Sequence, residues 1–422
     1  MTPPLVFLGM IGAFLALALG FRIPLGVSLA LAALAGALLG GQGFAVRHLV
    51  EGAFGFFDII LLIAAAMIFM RVLQESGLLD RIVSLILRTF HRRKAALLLM
   101  VMLIVMFPGM ITGSSLAAVL STGPLVAPVL IKLGLPRLKA AAFVAVGAIL
   151  GMIAPPVNIL VMIMGGGVDM PYVGLTVPLL LVTVPAAIFS ALWLGYRDVR
   201  VMGAEELKSI LPAAAPGPAG WRLSLPLLVV VALLVLQNFR VTGLAAIGLP
   251  AVFFLGSLLG WISARRFNFI AATQRALRDA LPLLSILAGV GMFLQVMTLT
   301  GVRGWAVLVF LSLPPALLFA GIAVSLPLFG GISSFGSASV LGVPFMLALI
   351  SKNALLTSSA LSAIVGIGDL MPPAAMAARF SAQVVGEKDF LKVLRHCLVP
   401  AAALLASGLV LLLASPFLEK IL

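Results

Sequence analysis

The stretch PGMITGSSLAAVL, residues 108–120, lies between long apolar runs and recurs without a gap as FGGISSFGSASVL at residues 329–341. Proline and glycine disfavour the helical backbone, and serine and threonine hydroxyls compete for its hydrogen bonds. An interruption inside a hydrophobic region leaves backbone groups that only protein, water or a bound ion can satisfy. The two copies therefore predict two related interruptions of membrane helices.

The composition is that of a membrane protein. Of 422 residues, 63% are hydrophobic and 9% are charged, and long apolar runs recur from residue 4 to residue 413. Such repetition excludes a soluble fold. A bilayer core takes about 20 helical residues, so the chain has room for roughly ten spans and shorter re-entrant pieces. We therefore predict an all-α polytopic membrane protein without a soluble domain.

Two further self-matches occur in the same order along the chain. LIAAAMIFMRVLQESGL, residues 62–78, lies over ILAGVGMFLQVMTLTGV, residues 286–302. AILGMIAPP, residues 148–156, corresponds to AIVGIGDLMPP, residues 363–373, with two extra residues in the second copy. The shared order and the matching glycines and prolines favour a true repeat over chance similarity of apolar sequence.

The repeat gives the domain organisation. Residues 1–197 form the first repeat, residues 223–422 form the second, and residues 198–222 form a linker that is rich in alanine, proline and glycine. Each repeat is expected to hold scaffold spans, one helical hairpin and one proline-broken helix. The linker is predicted to be cytoplasmic, and its sustained polar composition separates it from the apolar runs on either side.

The charges favour inverted repeats. The chain has 27 basic and 13 acidic residues, a net charge of +14. Basic residues fill segments 88–94 and 265–278, whereas the equivalent segments of the other copy are nearly neutral. Since basic loops are cytoplasmic, equivalent loops lie on opposite sides and both termini are predicted to be periplasmic. The basic charge thus indicates topology in a lipid bilayer and no binding to nucleic acid.

Segments 88–94 and 132–139 are both basic, although one apolar segment separates them. The chain is therefore expected to enter and return on one side, as two half-length helices joined by the break at residues 107–115. A tight hairpin of two full spans is the alternative. The corresponding hairpin of the second repeat, residues 316–351, is expected to enter from outside, with its tip at residues 330–337.

Proline pairs predict two further breaks, after Ala154 and after Met371, because proline frees a helical carbonyl. Half-helix ends carry partial charges that suit ions and charged substrates. The candidate ion and substrate residues are Gly109, Thr112, Gly113, Ser114, Ser115, Pro155, Pro156, Asn158, Gly330, Ser333, Ser334, Gly336, Ser337, Asp369, Pro372 and Pro373. The candidate sodium ligands are Gly113, Ser114, Ser115, Ser334 and Asp369. The alternative for the small residues is close helix packing, and Asn158 is either a ligand or a helix cap.

Asp369 is the one carboxylate predicted inside a membrane break, where acids mark ion or proton pathways. It either binds a cation, takes up a proton or caps the helix after Pro372. Arg71 lies near a predicted span end, where snorkelling is the usual explanation. The serine pair after Gly113 has no histidine in a span to act as base, so we predict no enzyme, no catalytic residue and no organic cofactor.

The sequence ITGSS at residues 111–115, followed by APP at residues 154–156, resembles the large membrane subunit of TRAP (tripartite ATP-independent periplasmic) transporters, the DctM-like subunit. The resemblance implies an elevator domain with two re-entrant hairpins, held by a scaffold. It implies sodium-driven symport of carboxylates, dicarboxylates among them, or related organic acids, with a small membrane subunit and a periplasmic substrate-binding protein as partners. Residues 113–115 correspond to the first tip motif, and the proline pairs at 155–156 and 372–373 to the two unwound helices.

The sequence therefore predicts a cation-coupled secondary transporter of small organic anions in the bacterial inner membrane. The hairpins and broken helices are expected to move together against the spans near residues 5–41 and 223–262. Two alternatives stay open. One is a single-component carrier driven by a proton on Asp369, and the other is a non-transporting scaffold or receptor subunit.

Overall fold

The computed structural model describes residues 1–200, 220–238, 248–264, 267–349 and 351–419, and regular structure in these ranges is entirely helical. Most of the predicted linker, residues 198–222, lies outside the described residues. The basic residues Arg265 and Arg266 also lie outside them. The all-α prediction is confirmed for the described part of the chain.

The helices of the first half connect in sequence, several through turns of only a few residues. They are α1 (Pro3–Leu15, prolonged by a π-helical turn, Ala16–Gly20), α2 (Leu25–Leu39), α3 (Val46–Phe54), α4 (Phe57–Glu75), α5 (Leu78–Phe90), α6 (Lys94–Thr112), α7 (Ser115–Lys132), α8 (Arg137–Ile153), α9 (Ile159–Gly167) and α10 (Thr176–Gly195).

The helices of the second half are more often interrupted. They are α11 (Gly220–Asn238), α12 (Leu249–Ser263), α13 (Phe269–Leu299), α14 (Val302–Leu311), α15 (Pro315–Gly330), α16 (Ser334–Ser337), a π-helical turn (Ala338–Gly342), α17 (Val343–Ala348), α18 (Ala354–Gly366), a 3-10 turn (Ile367–Leu370), α19 (Met376–Val384) and α20 (Phe390–Leu418).

Seven helices of the described chain are long and apolar enough to cross a membrane: α1 with its π-helical turn, α4, α6, α7, α10, α13 and α20. Shorter apolar helices of 10–17 residues, such as α2, α12 and α18, accompany them. The sequence predicts about ten spans, and the described chain has seven helices of spanning length. Breaks divide other apolar runs into the shorter helices. The chain is a multi-pass membrane protein.

The helices pack in two groups. In the first, α13 packs against α2, α3 and α4, while α12 packs against α4 and α11. In the second, α8 packs against α6, α7, α10, α19 and α20. Every residue of α8 from Ala140 to Ile153 is buried, as expected for a helix that is apolar on all sides. Helix α8 is therefore the centre of the second group and contacts both arms of the first hairpin, whereas the second hairpin joins this group through α18, which packs against α8, α15 and α20.

The first hairpin turns inside the predicted break. Helix α6 ends at Thr112, Gly113 has a left-handed backbone (φ 63°), and the Ser114 hydroxyl accepts the Ala117 N–H at 3.3 Å to begin α7. The two arms have 19 and 18 residues, about 27–29 Å at 1.5 Å per residue. They are longer than the half-length helices expected, because Pro108, Pro124 and Pro128 lie inside helices without ending them.

Candidate functional site

Glycines let each hairpin touch a broken helix. A Cβ atom on Gly109 would lie 2.8 Å from the Gly151 carbonyl carbon, and one on Gly330 would lie 2.8 Å from the Gly368 Cα. Carbon atoms attract best at about 3.5–4.0 Å, so no larger residue fits these crossings unchanged. Each crossing holds a hairpin directly against the helix that ends at a proline pair.

A matching backbone hydrogen bond lies beside each crossing. The Val157 N–H donates to the Met110 carbonyl at 3.1 Å, and the Ala374 N–H donates to the Gly331 carbonyl at 2.9 Å. Val157 and Ala374 each directly follow a proline pair, and both Pro–Pro bonds are cis. Each hydrogen bond thus satisfies backbone groups that the interrupted helices leave free.

Asp369 joins the two tips. It lies in the 3-10 turn that follows α18. The Ser115 hydroxyl at the start of α7 donates to its Oδ2, and the Ser334 hydroxyl at the start of α16 donates to its Oδ1 at 2.5 Å. One carboxylate therefore binds a hydroxyl from each hairpin, and hydrogen bonds to an ionised acceptor are stronger than neutral ones.

A cavity of about 590 Å³ lies beside this carboxylate, within the usual size of small-molecule sites. One wall comes from α4 and α13 of the first packing group, and the other comes from the two hairpin tips and the start of α19. Most of the lining is apolar. The cavity therefore lies between the two packing groups, with the Asp369 cluster on the hairpin side.

Charged side chains lie at another part of the lining. Arg71 on α4 forms an ion pair with Asp279 on α13, and both line the cavity. One turn further, Arg275 pairs with Glu75 at 2.7 Å. Arg278 also lines the cavity and forms no ion pair with any residue of the described chain. The cavity thus carries one cation without a carboxylate partner from the described residues.

A side-chain hydrogen bond links the two packing groups along the cavity. Gln74 of α4 donates through Nε2 to the Ser121 Oγ of α7 at 2.5 Å, and both residues line the cavity. Their interaction joins the first packing group to an arm of the first hairpin. Any movement between the groups at this point has to break it.

The structure brings some of the predicted site residues together and keeps others apart. Those that line the cavity are Ser114, Ser115, Gly330, Ser333, Ser334 and Asp369. Those that lie outside its lining are Gly109, Thr112, Gly113, Pro155, Pro156, Asn158, Gly336, Ser337, Pro372 and Pro373. Thr112 and Ser337 donate instead to the Pro108 and Leu326 carbonyls. These two hydroxyls are therefore occupied by helix backbone.

Asn158 acts as a helix cap in this structure. Its side-chain oxygen accepts the Val161 N–H at 3.0 Å at the start of α9. Its Nδ2 donates to the Ile153 carbonyl at 2.8 Å and to the Ser362 Oγ at 3.0 Å. The side chain is fully buried with its oxygen and nitrogen both engaged, so the geometry favours the capping alternative.

Sequence reasoning missed the α4 and α13 side of the cavity. The position of Arg71 near a predicted span end favours snorkelling, and the sequence around Gln74 gives no sign of a site. One signal was present: arginine precedes an acidic residue by four positions in both Arg71–Glu75 and Arg275–Asp279. This spacing puts a positive and a negative charge on one face of each helix. In two antiparallel helices, the arginine of each can then pair with the acidic residue of the other, as Arg71 does with Asp279 and Arg275 does with Glu75.

Comparisons with known proteins agree with this architecture. A family model described as "Tripartite ATP-independent periplasmic transporter, DctM component" matches residues 11–418. The chain is similar in structure to the Alcanivorax borkumensis YdaH transporter, with a TM-score of 0.63, 17% identity, and 93% of this chain and 98% of that chain covered. It is also similar to Neisseria gonorrhoeae MtrF, with a TM-score of 0.60, 15% identity, and coverage of 92% and 94%. None of the curated proteins compared matches significantly.

Proposed function

Since the chain belongs to the family of the DctM component of tripartite ATP-independent periplasmic transporters, we propose that it moves small organic anions across the bacterial inner membrane, driven by a sodium gradient. The observation that carries this proposal is the contact of one carboxylate, Asp369, with a serine of each hairpin. Sodium bound here would touch both tips at once. Its presence would therefore favour one arrangement of the hairpins.

The donor atoms around Asp369 fit a hard cation, which prefers oxygen ligands. The carboxylate supplies negative charge, and Ser115 and Ser334 supply hydroxyl oxygens. Gly113 and Ser114 adjoin Ser115 at the first tip, and their backbone carbonyls are the further ligands that we propose. A cation in this position neutralises a carboxylate that otherwise costs free energy inside the membrane.

We further propose that the two halves are inverted repeats and that the group centred on α8 moves as an elevator against the group of α2, α4 and α13. The paired glycine crossings and the matching backbone hydrogen bonds support the repeat. The cavity between the two groups supports the movement. Because basic residues concentrate on the cytoplasmic side of a membrane protein, the presence of Arg278 in the lining supports an opening of this cavity toward the cytoplasm.

The partners follow from the tripartite description of the family. We propose that the chain works with a small membrane subunit and with a periplasmic protein that delivers the anion. Uptake of a candidate acid into liposomes by the chain alone, or only with both partners, tests this assignment. Binding of the acid without flux under either condition would identify a non-transporting subunit instead.

A proton on Asp369 is the second candidate for the driving ion, in a single-component carrier. The observation in its favour is that the Ser115 and Ser334 hydroxyls, which donate to Asp369 in this structure, can also turn and accept a hydrogen bond from a protonated carboxyl. A proton needs no further ligand, whereas sodium needs several oxygens. The two ions differ in one measurable respect, because proton uptake changes with pH and sodium binding changes with sodium concentration.

Thermal stabilisation of the purified full chain by sodium, compared with potassium at matched ionic strength and at several pH values, distinguishes the two ions. We expect sodium alone to raise the melting temperature, and Asp369→Asn and Ser334→Ala to remove the effect. Ser339→Ala is the matched control, because this buried hydroxyl donates to the Gly336 carbonyl at 2.9 Å and not to Asp369. If the melting temperature does not change with sodium concentration, and its pH dependence is lost in Asp369→Asn, the driving ion is a proton.

A further inference from the structure

We propose that the cavity selects organic acids with one carboxylate and an apolar body over dicarboxylates, and that Arg278 is the residue that binds the carboxylate. The inference rests on the proposed function, because it names the substrate class of the same cavity. It narrows the carboxylates that the family resemblance implies to those with a single carboxylate. Three properties of the lining support it.

The first property is the large apolar surface of the cavity. Met67 and Met70 come from α4, Leu283 and Ile286 come from α13, and Phe335 comes from the second hairpin tip. These side chains cover both walls. Apolar surface removed from water stabilises a complex by about 25 cal/mol per Å², so a substrate gains most when its body is apolar. A short dicarboxylate offers little such surface.

The second property is the charge of the lining. Its charged side chains are Arg71, Arg278, Asp279 and Asp369. Arg71 is paired with Asp279, and the coupling cation neutralises Asp369 in the proposed function. Arg278 therefore provides the one remaining positive charge among the described lining residues. One carboxylate of a substrate neutralises the charge of Arg278. A second carboxylate has no unpaired cation among the described lining residues to bind.

The third property is the chemistry of the arginine itself. Guanidinium binds a carboxylate through two parallel hydrogen bonds, which fix the orientation of the ligand as well as its charge. Arg278 is exposed to the cavity from α13 and forms no ion pair with the described residues. Discrimination then arises because an unpaired second carboxylate loses its hydration without compensation.

Hexanoate and adipate test the inference, because they have equal carbon number and differ by a carboxylate in place of a methyl group. Binding of each to the purified full chain is measured by calorimetry in sodium and in potassium at matched ionic strength. We expect hexanoate to bind about tenfold more tightly than adipate. Arg278→Gln is expected to weaken hexanoate binding about tenfold or more, since hydrogen bonds to charged groups contribute about 1.5–3 kcal/mol.

Two variants make the test specific to charge in the cavity. Arg275→Gln removes an arginine three residues away that pairs with Glu75 and does not line the cavity, and it should leave hexanoate binding unchanged. Asp279→Asn frees Arg71 from its ion pair and adds one positive charge to the lining. It should therefore improve adipate binding relative to hexanoate.

The outcomes separate the inference from the proposed function. Equal or tighter binding of adipate, binding of neither acid in sodium, or hexanoate binding that Arg278→Gln leaves intact would each overturn the inference while sodium stabilisation still supports the proposed function. Preference for hexanoate that is the same in sodium and in potassium would support the substrate class and reject sodium coupling.

Discussion

Replacing Gly330 by alanine should push the second hairpin away from the broken helix. The new Cβ would lie 2.8 Å from the Gly368 Cα and 3.2 Å from the Val365 carbonyl oxygen. Favourable carbon contacts begin at about 3.5 Å, so the two backbones have to separate by roughly 0.7 Å. Overpacking of this kind costs about 1 to 3 kcal/mol. Scaling the unfolding entropy per residue to this chain length gives a melting temperature about 1 to 3 °C lower.

The same displacement acts on the proposed ion site, because Gly368 precedes Asp369. A shift of roughly 0.7 Å would stretch the 2.5 Å contact between the Ser334 hydroxyl and Asp369 beyond the usual O–H···O range of about 2.5–3.0 Å. We therefore expect Gly330→Ala to weaken sodium stabilisation as well as the fold, measured by melting in detergent across a sodium titration.

Gly304→Ala is the control for Gly330→Ala, because Gly304 is also helical and a Cβ there meets no atom within 4 Å. Alanine at this position should leave the melting temperature unchanged or raise it slightly, since alanine favours helix over glycine by about 1 kcal/mol. If Gly330→Ala melts like the wild type and responds equally to sodium, the close crossing does not hold the second tip in place.

Two other perturbations test different contacts. Asn158→Ala removes the cap of α9 and leaves the Ile153 carbonyl without its donor, so unfolding free energy should fall by about 2–4 kcal/mol. Ser362→Ala, which removes one acceptor of the same side chain, should cost less than half as much in the same denaturation experiment. A cysteine pair at Gln74 and Ser121, joined by a short bifunctional thiol reagent, should block uptake, whereas each single cysteine treated alike should not. Uptake that continues through the joined pair would show that α4 and α7 need not separate.

The sequence was informative wherever a residue type limits the local backbone. Glycine, proline and serine at residues 113–115 and around the proline pairs predicted helix breaks, and the structure has breaks at these positions. The lengths of the arms were less predictable. Pro108 disrupts a helix in isolation, but packing holds α6 intact to Thr112.

The cavity was only half predictable, because its other wall depends on tertiary contacts between distant segments. Arg71 and Asp279 are 208 residues apart in the chain, and Gln74 and Ser121 are 47 apart. No local sequence pattern indicates that these side chains are in contact. The π-helical turn at Ala338–Gly342 is not predictable from the sequence either. The second tip carries the same kinds of residue as the first, which a regular α-helix follows.

The attachment of two hairpins to one carboxylate has a consequence for protein engineering. Since Ser115 and Ser334 act on the same group, substitutions at these two positions should be epistatic, and the effect of one should depend on which residue occupies the other. A redesign that alters ion preference through a single hairpin would leave the other hairpin adapted to the original ion. Variant libraries for a new coupling ion are therefore better built by changing both tips together.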